Sequence, residues 1–223
     1  MPMSDSPTAN HDPTVRGVEF ETTDGVELLG EVAVPAAPIG AAIVCHPHPQ
    51  FGGNRFDHVV GALFEALPTI GVAALRFDFR RTFDGGVGER LDAMAALDEL
   101  SREIPDVPLV ATGYSFGAMV AAAVDDERVS ASVLVAPPLA MTDSIRGRDV
   151  PTLVLTPVHD QFSPPAANRA VLDEWARAGA APIEQETIDM ADHFLHGATA
   201  RVATLATTFL TRNLPPSSHP TQR

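Results

Sequence analysis

The sequence predicts an α/β fold, a mostly parallel sheet of about eight strands with helices on both faces. Three observations predict it. Strand-type runs alternate with helix-type periodicity along most of the 223 residues. The later strands, "VSASVLVAP" and "PTLVLTP", are nearly continuous apolar runs, the signature of a sheet covered on both faces. An apolar content of 45% is enough for one sizeable core.

Taken in order, "VRGVEFET" and "GVELLGEVAV" form a hairpin-like pair around Asp24-Gly25, and "AAIVCH" is a short buried strand. Phe56, Val59, Val60, Leu63, Phe64 and Leu67 then recur at helical spacing as one apolar stripe, with Gly71 after its end. "VAALRFDF" is the next strand, followed by a helix from about Glu89 to Ile104. "VPLVATG" leads into a helix over 116–125, and the two apolar strands come after it. A helix from Pro165 to Ala178, the strand "PIEQETIDM" and a last helix carrying Val202, Leu205, Ala206, Phe209 and Leu210 on one face complete the pattern. Residues 1–14 and 213–223 lack apolar periodicity and read as flexible tails, leaving one domain over 15–212. In a doubly wound sheet ligands bind at the carboxyl ends of the strands, so site residues should follow strands closely.

Composition removes several functions. The net charge of −14 repels nucleic acid and anionic membrane surfaces, so neither is expected as a partner. All 15 basic residues are Arg, and without Lys there is no P-loop phosphate binding, Schiff base or pyridoxal phosphate anchor. Cys45 has no second cysteine to pair with, and the N-terminus shows no signal peptide, which together predict a cytoplasmic protein. No apolar run reaches the roughly 18 residues of a transmembrane helix.

The chemistry centres on Gly113-Tyr114-Ser115-Phe116-Gly117. Gly-x-Ser-x-Gly occurs by chance in roughly one chain in ten of this length, so its setting carries the argument. Here it joins a buried strand to a helix start, where small flanking residues allow a tight turn that presents the hydroxyl. An ordinary helix N-cap would account for Ser115 but not for the two glycines. A serine nucleophile needs an imidazole base and a carboxylate to orient it. Between the last strand and the final helix stand His193 and His196; His193, in the turn of "DMADHFLHG", is the expected base, and His196 is expected to pack locally. Asp160 after "PTLVLTP" is the expected acid, with Asp143 as runner-up, whereas Asp192 is too near His193 in the chain for the side chains to meet. An oxyanion hole takes the N–H after the nucleophile, here Phe116, and one from the loop after "AAIVCH". Pro47 and Pro49 have no N–H, which leaves His48, Gln50 and Phe51, with His48 favoured. A metal at His46 and His48 lacks a third ligand, and "DGGVGER" does not match a dinucleotide loop, so neither metal nor cofactor is expected.

With "HPHPQFGGN", "LRFDFR", "FDGGVGE", "GYSFGA", "APP" and "ADHFLHG" in this order, the chain resembles the α/β-hydrolase superfamily, among its small, lid-poor serine hydrolases related to dienelactone hydrolases and short esterases. The resemblance covers about residues 15–212 and implies an eight-stranded hydrolase sheet with a Ser115–His193–Asp160 site. One stretch departs from it: relatives usually carry F-R-G-x-G-x-S after the fourth strand, whereas this chain has "FDFRRTFDGG", with Arg81 where a glycine is usual. That change bears on the mouth of the site and leaves the triad positions untouched. "PLAMTDSIRGRDV" is too short for a helical cap, so the pocket should be open. The expected function is hydrolysis of a small ester or thioester through an acyl-enzyme on Ser115, with a small acyl compound as substrate and a homodimer as a possible assembly. A peptidase or amidase with the same triad is the near alternative, and a non-catalytic ligand-binding protein on this fold is the alternative from another class.

Overall fold

The computed structural model describes residues 12–141, 145, 147 and 149–214. The chain enters through an antiparallel hairpin, β1 (Thr14–Glu21) and β2 (Glu27–Val34), whose register runs from Thr14 opposite Val34 to Glu21 opposite Glu27. Gly25 stands in its turn at φ 81°, a left-handed backbone that a side chain would strain. From β3 (Gly40–Cys45) onward strands alternate with helices: α1 (His58–Ala66), β4 (Val72–Phe77), α2 (Val87–Glu103), β5 (Leu109–Tyr114), α3 (Phe116–Ala123) and β6 (Val129–Val135). After β7 (Thr152–Pro157) come α4 (Pro165–Arg177), β8 (Ile183–Ile188) and α5 (Thr199–Asn213). The strands make one sheet in the order β1-β2-β4-β3-β5-β6-β7-β8. β2 is antiparallel to β1 and β4, and every later pair is parallel.

The sheet has two cores because neighbouring residues of a strand point to opposite faces. Ala41, Ile43 and Cys45 of β3 join a cluster with Leu97 of α2, Ala121 of α3 and Trp175 of α4. Ala42 and Val44 join the other, with Val59 and Leu63 of α1 and Phe209 and Leu210 of α5. A central strand with a core on each side has no polar face, hence the unbroken apolar runs.

Local signals set the element ends. Asp57 caps α1 by accepting from the Val59 and Val60 amides, and the helix gives way to a 3-10 turn, Leu67–Ile70, closed by Gly71 at φ 80°. Because the cap lies at Asp57, Phe56 precedes the helix instead of joining its buried stripe. Its ring is 58% exposed, with the Arg55 and Arg76 guanidinium groups 4.7 and 5.0 Å from the centroid. α2 starts at Val87, ahead of the expected Glu89, because the Glu89 carboxylate reaches back to accept from the Gly86 and Asp84 amides at 2.8 and 2.9 Å.

Among the described residues, the β6–β7 connection, 136–151, inserts no large cap over the carboxyl edge of the sheet. No helix among the described residues is long and apolar enough to cross a membrane. The runner-up acid Asp143 lies outside the described residues, as do 1–11 and 215–223 of the two expected tails.

Candidate active site

β5 ends at Tyr114, α3 begins at Phe116, and Ser115 between them is held at φ 55°, ψ −118°. Such a backbone costs a non-glycine residue of order 1–3 kcal/mol, so its surroundings must enforce it. The flanking glycines show how. A Cβ on Gly113 would lie 2.4 Å from the Gly117 carbonyl oxygen, and one on Gly117 would lie 2.3 Å from the Cys45 oxygen. Strand β3, strand β5 and the first turn of α3 therefore touch through backbone alone, and the turn is tight enough to lift the side chain of Ser115 out of it. Ser115 also donates its N–H to the Val135 carbonyl at 2.8 Å, which ties the turn to β6. Its hydroxyl makes no capping bond to α3, although it stands at the cap position.

That hydroxyl instead lies 2.9 Å from His193 Nε2, and His193 Nδ1 lies 2.8 Å from Asp160 Oδ2. With Nδ1–H donating to a carboxylate, which only accepts, Nε2 keeps its lone pair toward Ser115. The structure thus brings together Ser115, His193 and Asp160 from positions 78 and 33 residues apart in the chain. Asp160 is buried, and its second oxygen, Oδ1, accepts from the Phe162 and Ser163 amides at 2.8 and 2.7 Å. Every bond on this carboxylate points it at the imidazole. Behind it, Asn168 Nδ2 donates to Ser163 Oγ at 2.7 Å, and Ser163 Oγ donates to the Pro137 carbonyl.

The imidazole turn is fixed separately. The Tyr114 hydroxyl donates to the His193 carbonyl at 2.8 Å, and the His159 N–H donates to the Ala191 carbonyl at 2.9 Å, stitching the acid turn to the histidine turn. Asp192 is occupied in its own turn, accepting from the Phe194 amide at 3.0 Å. The His196 ring stacks on His58 at 4.9 Å and on Phe194 at 6.3 Å, away from the Ser115 hydroxyl's partner.

The two segments expected to supply the oxyanion donors touch through their side chains. The His48 ring lies 4.9 Å from that of Phe116, and Phe51 and Phe83 complete an aromatic cluster around it at 4.8 and 4.4 Å. Gln50 N–H donates to His48 Nδ1 at 3.2 Å and Phe51 N–H to the His48 carbonyl at 3.0 Å, closing a 3-10 turn. Both amides are engaged inside the loop, so Gln50 is a poorer oxyanion donor than expected. The N–H groups of His48 and Phe116 have no hydrogen-bond partner among the described residues.

One residue of this loop has a role that sequence reasoning missed. His46 is buried, its Nδ1 lies 2.6 Å from the Pro47 carbonyl, and its Nε2 accepts from the Phe79 amide at 3.0 Å. The donor on one side and the acceptor on the other require the neutral ring, and burial lowers its pKa accordingly. Both nitrogens are thus occupied by backbone, and the ring ties the end of β3 to the end of β4 beneath the loop. Cys45 is buried beside it, its thiol pushed far up by the apolar surroundings. Arg80 pins the next loop: it binds Asp92 on α2 through Nε and Nη2 at 2.9 and 2.8 Å, and its Nη1 reaches Asp24 in the hairpin turn at 2.8 Å. No sequence signal identified these two roles, since His46 reaches Phe79, and Arg80 reaches Asp24 and Asp92, only in the folded chain.

No protein-family model matches the chain. Over 94 residues it is 43% identical to an uncharacterized protein of Rickettsia prowazekii, a stretch that spans 39% of this chain and 39% of that relative. Among solved structures it is similar to an α/β serine hydrolase homologue from Coxiella burnetii, with 28% identity, a TM-score of 0.79 and coverage of 87% of this chain and 97% of the other. A protein of unknown function from Agrobacterium tumefaciens, assigned to the α/β hydrolases, superposes with 26% identity and a TM-score of 0.78 over 92% of this chain and all (100%) of its own. A serine hydrolase without a lid from Xanthomonas campestris shares the fold at a TM-score of 0.79 and 24% identity, covering 96% and 100%.

Proposed function

For a chain of the α/β-hydrolase superfamily with an open, lid-free strand edge, we propose a serine hydrolase acting on a small ester or thioester, with Ser115 as nucleophile, His193 as base and Asp160 as its orienting acid. The observation that carries the reading is the unbroken run of short contacts from Ser115 Oγ to His193 Nε2 and from His193 Nδ1 to Asp160 Oδ2. A non-catalytic binding protein has no need of a strained turn whose hydroxyl is aimed at an oriented base.

In this reaction His193 Nε2 takes the Ser115 proton as Oγ attacks the acyl carbon, and the carbonyl π pair moves onto oxygen. The amides of Phe116 and His48 receive that oxyanion, whereas the Gln50 amide is engaged with His48 Nδ1. Asp160 stabilises the imidazolium. When the tetrahedral species collapses, the bond to the leaving oxygen or sulfur breaks and His193 returns the proton to it. Water, deprotonated by His193, then attacks the acyl-enzyme and releases the acid and Ser115. The nucleophile, base and oxyanion donors that this ester cleavage uses all belong to the chain.

A fluorophosphonate probe tests the reading. It is expected to label Ser115 in the wild-type protein and not in Ser115→Ala, with p-nitrophenyl acetate hydrolysis falling at least about a thousandfold in that variant. Undiminished turnover by Ser115→Ala would sink the proposal. Faster cleavage of aminoacyl anilides than of matched esters would replace the esterase with a peptidase.

A further inference from the structure

Large apolar side chains left in water beside a reactive centre mark a place where a ligand removes them from it. Two phenylalanines occupy such positions at His193. Phe162, in the turn just after Asp160, is 51% exposed, and its ring centroid stands 4.9 Å from the imidazole at an interplanar angle of 70°. Phe194, the residue after His193, is 46% exposed and stands 5.9 Å from the imidazole at 84°. The rings meet each other edge to face at 6.4 Å, so they and the imidazole form one continuous aromatic surface. Neither ring is needed to hold the imidazole: Asp160 fixes Nδ1, and Tyr114 fixes the carbonyl.

Proton delivery decides which part of a substrate meets this surface. In the reaction proposed above, the oxyanion goes to the amides of Phe116 and His48. The leaving atom must instead come within hydrogen-bonding reach of His193 Nε2, because that nitrogen returns the proton to it. Whatever is attached to the leaving atom therefore sits against the rings that flank the imidazole.

We propose that Phe162 and Phe194 form a leaving-group subsite for an ester of an apolar alcohol that carries an aromatic ring, the ring resting on Phe162 and Phe194 edge to face or offset-stacked. The proposal rests on the serine-hydrolase reading above. It places the specificity of this lid-free site on the alcohol side, where the aromatic platform adjoins the proton donor.

The test compares kcat/KM for benzyl acetate and ethyl acetate, whose acyl groups are identical and whose alcohols are of similar basicity. The wild-type protein is expected to favour the benzyl ester, and Phe162→Ala and Phe194→Ala are each expected to lower the benzyl-to-ethyl ratio about tenfold. Fluorophosphonate labelling of each variant reports whether the Ser115 centre is still assembled. A wild-type enzyme that does not favour the benzyl ester overturns the subsite. So does an equal loss on both esters in labelled variants, which would make the rings supports of the imidazole. Absence of wild-type labelling together with absence of turnover is a distinct result and overturns the hydrolase reading itself.

Discussion

At the scale of single residues, the site is a set of groups each held in a state it would not adopt alone. Ser115 keeps a left-handed backbone that a glycine would adopt freely. Ser115→Gly is accordingly expected to abolish turnover while raising unfolding stability by about 1 kcal/mol, the relieved strain exceeding the added chain entropy. Urea denaturation of the two proteins measures it, and a destabilised glycine variant would show that the turn is not strained. His46 is held neutral, its pKa below the ordinary 6.5. The native state then binds fewer protons than the unfolded chain as the pH falls past that value. Stability is complete above about pH 6.5 and declines as the pH falls below it. Replacing His46 by Gln is expected to flatten the fall in urea midpoint between about pH 7 and about pH 5 relative to the wild type. The sequence marked His46 only as half of an unconvincing metal pair, because its partners, the Pro47 carbonyl and the Phe79 amide, are backbone groups without a residue signature.

At the scale of elements, the positions that matter are those where two elements touch through backbone or through one ion. Gly117 is such a point: any side chain there pushes α3 away from the end of β3. Gly117→Ala is expected to cost about 2 kcal/mol or more in stability and to lower kcat with it, since the same turn aims Ser115. Arg80 is another, joining α2 to the hairpin turn through Asp92 and Asp24. The two carboxylates hold its pKa above the ordinary arginine value. Asp92 is fully buried, so Arg80→Ala leaves a carboxyl without its counter-charge, at an expected cost of about 3 kcal/mol or more by chemical denaturation. Helix α1 illustrates where element ends were legible. Val59, Val60, Leu63 and Phe64 lie buried as their spacing requires, while Phe56 stays outside because the Asp57 carboxylate starts the helix after it.

At the scale of the whole molecule, a net charge of −14 sits on a fold in which Arg16, Arg76 and Arg80 form ion pairs with Glu103, Glu31, Asp24 and Asp92. The excess carboxylates repel one another, so moving from about 10 mM to about 150 mM NaCl is expected to raise the melting temperature; a drop would mean that the ion pairs outweigh the repulsion. The sequence by itself determined the alternation of strands and helices, the two-faced burial of β6 and β7, and the strand ends after which Ser115, Asp160 and His193 stand. These are local properties, carried by apolar periodicity, by turn glycines and by the order of motifs along the chain. Only the tertiary structure decided that the three side chains meet, that Gln50 turns its amide inward to His48, and that Phe162 and Phe194 flank the imidazole in solvent. Those outcomes depend on distances between segments far apart in the chain, and such distances come from the twist and packing of the sheet, which no residue pattern encodes alone.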